Sequence, residues 1–351
     1  MMPLTIAPAA HDGLLSDWKS RIEEQPPVRF ASLAEKALAD RGLDRDECVG
    51  VLRGPDDELP DLLSAAFAVR SRHFGRRVKV CVLLNARSGL CPEDCGYCSQ
   101  AKGADTGIDR YRLMDRDSII ARAEAAASAG AKRFCIVCSG RGPSDRDIDH
   151  ISGAVSEITR RHPELEICCS LGLMSRPQAD RLAAAGVDYV NHNLNTGRNH
   201  HPKIVSTHTY EDRVETINNV KAAGLATCSG GIVGMGETDE DIADLAAAVR
   251  EMDIASIPIN FLISFDGTPM QGMGSALTWQ KGLRVLSLMR LMNPAKEIRM
   301  AAGRERKLGG RQSLSLYAAN SVFVDGYLTT EGQAAAAARE MIESAGFEVE
   351  A

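Results

Sequence analysis

The sequence predicts an α/β fold: a (β/α)8 barrel of the TIM type with a helical extension at its N-terminus. Three observations carry this. Eight short strand patterns alternate with helical patterns from about residue 75 onward. Glycines at 130, 186 and 224 each end a helical pattern just before a strand pattern. Alternating βα units imply a parallel sheet, and eight of them in about 250 residues suit a closed barrel with its site at the C-terminal strand ends. A doubly wound open sheet is the competing layout. The division expected is residues 1–74 for the extension and 75–351 for the barrel.

Within the extension, SLAEKALADRG and LPDLLSAAFAVRSRHFG carry apolar residues at helical spacing. VKVCVLLN follows as a β-branched apolar run of strand length. The strand candidates are 78–85, 131–138, 165–171, 187–194, 225–233, 256–265, 297–302 and 319–325. Helix starts are marked between them. Ser175 and Gln178 form a capping box with Pro177 in the first turn. Thr209 with Asp212, and Thr238 with Asp241, read as related caps. The Ala-rich stretch 334–338 reads as helix, and Trp18 and Trp279 suggest packing only.

Composition narrows the function. Of 351 residues, 44% are hydrophobic and 25% charged, with a mean hydropathy of -0.16, as in ordinary globular domains. No stretch approaches the ~18 apolar residues of a membrane span. The opening MMPLTIAPAAHDGLL lacks the basic and apolar regions of a signal peptide, so a cytoplasmic location is expected. A net charge of -6 argues against general nucleic-acid binding.

Ten cysteines in such a chain point to metal or catalysis rather than disulfides. Cys91, Cys95 and Cys98 stand within eight residues, spaced C-x3-C-x2-C, in the loop after the first strand. Thiolates are the usual ligands of iron–sulfur clusters. Three ligands on a four-iron cube leave one iron open. A structural zinc site wants four ligands, and no fourth Cys or His lies nearby in sequence.

A second constellation has one polar residue per strand: Cys135, Cys168, Asn191 and Asn193, Cys228, Asn260 and Arg299. Their spacing of about one βα unit of ~30 residues predicts a ring around one cavity. Taken singly, each Cys reads as a small buried hydrophobe. Arg299 is harder to dismiss, because an unpaired buried guanidinium is costly. Three cysteines and an arginine converging on one cavity suggest a second cluster.

The C-x3-C-x2-C loop, with an aromatic residue before its third Cys, resembles the radical S-adenosylmethionine (SAM) superfamily, and GGIVGMGET resembles its Gly-rich strand end beside SAM. From about residue 60 to 349 the chain further resembles the biotin synthase family. The motifs are NARSGLCPEDCGYCSQ, RFCIVCSGRGPS, YVNHNLNT, CSGGIVGMGET, SIPINFL, IRMAAGRE and YAANSVFVDGYLTT.

The resemblance implies sulfur insertion into dethiobiotin, with a 5′-deoxyadenosyl radical abstracting hydrogens and a 2Fe–2S cluster supplying sulfur. It implies Cys91, Cys95 and Cys98 as ligands of a 4Fe–4S cluster that binds SAM. Cys135, Cys168, Cys228 and Arg299 become ligands of the 2Fe–2S cluster. Tyr97 would lie beside the adenine. Asn193 and Asn195 would face the SAM ribose; Asn195 stands where some members carry Asp. Arg213 would bind the SAM carboxylate, where the sequence alone would equally allow an exposed helix arginine. Asn191 and Asn260 would bind the ureido or neighbouring groups of dethiobiotin, since amides offer both donor and acceptor.

No residue is expected as a separate acid–base catalyst. An electron donor such as flavodoxin or ferredoxin and a homodimer are expected, with no nucleic acid and no membrane. The competing readings are a mutase or hydrogenase-maturation enzyme of the same superfamily, and a non-catalytic iron–sulfur carrier. Cys48, Cys81, Cys138 and Cys169 are expected as core filler. His192, His200, His201 and His208 crowd one region without a mononuclear metal spacing, and read as a solvated or packed loop.

Overall fold

The computed structural model describes residues 29–350; Trp18 and the opening segment lie outside them. Three helices come first: α1 (Arg29–Leu38), α2 (Arg45–Arg53) and α3 (Leu59–Phe74). The first and third match the expected segments. The short α2 was not anticipated, although Asp44 and Glu47 form a capping box at its start.

The strands are β1 (Arg77–Arg87), β2 (Arg133–Cys138), β3 (Glu166–Ser170), β4 (Tyr189–Asn191), β5 (Ala226–Cys228), β6 (Gly231–Val233), β7 (Ser256–Phe261), β8 (Glu297–Met300), β9 (Ser321–Val324) and β10 (Glu348–Val349). Helices α4 (Arg116–Ser128), α5 (Asp145–Arg161), α6 (Arg176–Ala184), α7 (His201–Ile204), α8 (Tyr210–Ala222), α9 (Asp239–Glu251), α10 (Trp279–Met292), α11 (Arg304–Leu308) and α12 (Ala335–Ser344) lie between or after them. The expected caps are formed. Ser175 with Gln178, Thr209 with Asp212 and Thr238 with Asp241 are each capping boxes, a feature of about 1 kcal/mol per helix.

Every pairing in the sheet is parallel, and β1 pairs with β9 from Lys79↔Ser321 to Val82↔Val324, which closes the barrel. The open-sheet alternative is thereby excluded. All eight expected strands are present, with one divided. The run 225–233 breaks into β5 and β6, because Pro258 opposite has no N–H to give a neighbouring strand. Gly230 fills the break: a Cβ there would lie 1.9 Å from the Pro258 carbonyl oxygen. The unanticipated β10 pairs with the start of β1 at Arg77 and Val78.

Alternation along the strands sorts side chains between two environments. Phe134, Ile136, Ile167 and Cys169 face outward into a core with α4 and α5. Cys135 and Cys168 face inward, in a small cluster with Cys81, Ala301 and Phe323. The N-terminal helices share one apolar core with α9, α10 and β7 to β9, through Phe30, Leu62 and Val69 on one side and Leu283, Leu286 and Met289 on the other. Among the described residues no helix is long and apolar enough to cross a membrane.

Candidate active site in the barrel mouth

One cavity of about 380 Å³ opens at the C-terminal ends of the strands and extends into the barrel, within the range of small-ligand sites. The rim thiols border it, as do Cys135 and Cys168 of the interior group.

The first group lies on the rim. The loop after β1 turns through Gly89 and Leu90, both at positive φ. Gly96 donates its N–H to Ile204 O (2.8 Å), and Cys98 donates its N–H to Cys95 O (3.0 Å), so the thiol-bearing turn is pinned to α7. Ser99 Oγ and Thr329 Oγ1 are 2.7 Å apart, joining this loop to the segment after β9. Cys91, Cys95 and Cys98 all line the cavity. Burial raises the thiol pKa at each of the three, to about 12 at Cys98. An iron–sulfur cluster displaces such protons when thiolates bind it.

The second group lies inside the barrel. Cys135 and Cys168 are register partners on β2 and β3, and Cys168 hydrogen-bonds both Cys135 and Cys228. These contacts, aided by Arg299 and Arg133, pull the thiols of Cys135 and Cys228 down, Cys228 to about 5. Cys168, the shared donor, is pushed up. Asn191 Nδ2 donates to Cys228 Sγ (3.2 Å) and so covers it on the cavity side. Arg299 is 1% exposed. Its Nε donates to Ser321 Oγ (3.0 Å) and its Nη2 to Ser256 Oγ (3.0 Å) and Glu297 Oε1, while Nη1 points at Cys228 Sγ (3.8 Å). Burial would raise the carboxyl pKa of Glu297, but Arg299, Arg133 and Lys79 outweigh it and hold that pKa well below the usual range.

Among the described residues no three His, Cys, Asp or Glu side chains are arranged as ligands of a single metal ion. Soft thiols in two sets of three suit iron–sulfur clusters, which spread their ligands over several irons.

The remaining expected residues divide. Tyr97 and Asn195, assigned separately by resemblance, touch: Asn195 Nδ2 donates to the hydroxyl of the half-buried Tyr97 (2.5 Å). Asn193 Oδ1 accepts from Asn191 Nδ2 (3.1 Å) and from Gly230 N (3.1 Å). Asn260 lines the cavity but is engaged on both sides, donating to Gly231 O (3.2 Å) and accepting from Ala302 N (3.1 Å).

Arg213 is buried rather than an exposed helix arginine. Its Nη1 donates to Asn193 O (2.7 Å), its Nε to His201 Nε2 (3.2 Å) and its Nη2 to His208 Nε2 (2.6 Å). His208 Nδ1 in turn meets Glu93, which also holds Arg141 (3.0 Å) and Thr207 (2.6 Å). The crowded histidines are thus packed rather than solvated, two of them supporting a site residue. Glu93, Arg141 and His208 line the cavity and were missed. Their signal was that Glu93 sits inside the cysteine loop itself. Leu328, Thr329 and Thr330, the end of YAANSVFVDGYLTT, also line it. Cys81 is buried, in keeping with core filler, and faces the barrel interior 3.5 Å from Ser321 Oγ, beside the second thiol group.

A family model described as the radical SAM superfamily matches residues 87–249, and one described as the biotin and thiamin synthesis associated domain matches 258–348. The chain is 49% identical over 321 residues to the biotin synthase of Geobacillus thermodenitrificans, covering 92% of this chain and 96% of the relative. It is 45% identical to that of Rhodopirellula baltica, covering 92% and 90%. It is 49% identical to that of Streptomyces avermitilis, covering 91% and 82%. Among solved structures, methylornithine synthase matches with a TM-score of 0.79 at 20% identity, over 91% of this chain and 97% of that one. The FeFe-hydrogenase maturase HydG of Carboxydothermus hydrogenoformans matches at 0.78 and 14%, over 97% and 82%. At such identities these two bear on the fold alone.

Proposed function

The chain belongs to the biotin synthase family, and on that premise we propose that it inserts sulfur into dethiobiotin to form biotin. The observation that carries this is that a rim group of three thiols and, from the interior group, Cys135, Cys168 and Arg299 border one cavity, with Cys228 directly behind them against Arg299 and Asn191. When bound there, a 4Fe–4S cluster with SAM and a 2Fe–2S cluster supply a carbon radical and a sulfur atom. No acid or base could remove hydrogen from the unactivated target carbons, which is why the site needs no dedicated proton-transfer residue. Two hydrogen abstractions imply two SAM molecules per biotin.

The protein's own part is to hold and orient. Cys91, Cys95 and Cys98 hold the first cluster on the rim. Cys135, Cys168, Cys228 and Arg299 hold the second inside the barrel, leaving the cavity between them for substrate. Arg213 directs positive charge toward the SAM carboxylate, its guanidinium oriented by His201 and His208. The Tyr97–Asn195 contact forms the adenosine side of the pocket, with Asn193 adjacent. Asn191 and Asn260 offer amides to the neutral ureido ring. Dethiobiotin, SAM and an electron donor such as flavodoxin or ferredoxin are the partners proposed, with a cytoplasmic homodimer as the working form. Among the described residues, 75–350 form the barrel unit and 29–74 the helical extension.

The test is an anaerobic incubation with SAM, dethiobiotin and reductant, following biotin and 5′-deoxyadenosine together. The wild-type chain should form both, and Cys95→Ala neither. Reductive 5′-deoxyadenosine formation by folded Cys95→Ala would overturn the rim assignment.

A further inference from the structure

Arg299 can offer iron a nitrogen only if its guanidinium gives up an Nη1 proton to solvent as the metal binds and is held still, and the structure contains a device outside the thiol group that holds it. Nε and Nη2 are engaged by Ser321, Ser256 and Glu297. The guanidinium carbon lies 4.8 Å from the Phe323 ring centroid. Among the described residues, Nη1 alone is left facing the thiols, with Cys228 as its partner. Glu297 is itself fixed. It accepts from Arg133 Nη1 and Nη2 (3.0 Å each) and from Ser256 Oγ (3.1 Å). Arg133 is anchored in turn by Glu166 (2.8 Å) and lies 3.6 Å from the Tyr189 ring centroid.

We propose that Glu297, locked by Arg133, is a positioning residue for the second cluster: it holds Arg299 so that Nη1 alone is presented to iron. The reason is chemical. Arg299 and Arg133 are two buried cations beside three thiols, and a carboxylate between them keeps both from turning onto the thiolates. A bidentate Arg–carboxylate pair is also directional, so it sets an angle as well as a charge. This rests on reading the interior group as the 2Fe–2S site.

The experiment compares wild type, Glu297→Gln and Glu297→Asp after anaerobic loading with 57Fe. Circular dichroism and SAM cleavage at the rim cluster serve as the controls for folding. Glu297→Gln removes the charge. Glu297→Asp keeps a carboxylate but withdraws it one methylene from both Arg133 and Arg299. Retention of the 2Fe–2S cluster should fall about 10–100-fold in Glu297→Gln, as when an outer partner of a metal ligand is lost. The Mössbauer doublet of its nitrogen-bound iron should change, while SAM cleavage persists. In Glu297→Asp the doublet should change with a smaller loss. A folded Glu297→Gln with wild-type retention and spectrum overturns the proposal. If Glu297→Gln does not fold, an unchanged spectrum in Glu297→Asp does so instead. Absence of any 2Fe–2S signal from the wild type would instead reject the functional reading on which this one stands.

Discussion

Cys168 and Cys169 are chain neighbours with opposite fates. Cys168 joins Cys135 inside the barrel, and Cys169 packs outward with Phe134 and Ile136. That choice was legible because strand alternation permits only one inward side chain and the family motif names the first Cys. Arg213 was not legible from its helical spacing, since its burial comes from His201 and His208 folding back over it. Cys81 was not legible either, because a lone Cys in an apolar run carries no mark of which face it takes.

The histidines around Arg213 yield a pH prediction. Arg213 can only donate, so His201 and His208 accept through Nε2 and stay neutral. Burial, then Arg213, lowers the pKa of His201 to about 4, and the pKa of His208 also falls. A depressed histidine gives stability that is complete above its unfolded pKa of about 6.5. It is lost as pH falls through the folded value, by at most about 1.4 kcal/mol per pH unit for each group. Melting temperature should therefore drop between pH 6.5 and 4, and less steeply in His201→Gln. Equal slopes in the two proteins would remove His201 from this account.

At the scale of elements, the eight strand positions were visible because each helix stop and cap leaves a local mark. The division of β5 from β6 was not, since it depends on Pro258 in a different strand meeting Gly230. The two-residue β10 is too short to carry any alternation, and its partner Arg77 begins the first strand, far away in sequence. Gly230 is the position where the close approach has consequences. Its Cβ-less backbone lets the chain pass the Pro258 carbonyl and carry Cys228 inward on one side while Gly231 pairs with Ile259 on the other. Gly230→Ala should destabilise the protein by about 3 kcal/mol and displace Cys228. Chemical denaturation, with the 2Fe–2S absorption as a second readout, checks both. A variant as stable as wild type and with an intact second cluster would show that the break tolerates a side chain.

For the whole molecule, a closed parallel barrel was legible from βα alternation, and the two thiol groups were legible as sets of residues. Their setting was not. Lys79, Glu166, Arg133, Glu297 and Arg299 form a connected ionic chain across four strands, and no local pattern in sequence pairs strands so far apart. Nor did the helical segments before residue 75 reveal that they complete the outer core rather than stand apart. The central claim is that the rim and interior thiols hold separate clusters that serve one cavity. It is tested most directly by anaerobic iron and sulfide analysis with Mössbauer spectroscopy on wild type, Cys168→Ala and Cys169→Ala. The account predicts about six irons per chain in wild type, four in one cluster and two in the other. It predicts about four in Cys168→Ala, with the 4Fe–4S signal and SAM cleavage kept, and about six in Cys169→Ala. About four irons in the wild type, or loss of the second cluster from Cys169→Ala in place of Cys168→Ala, would contradict it.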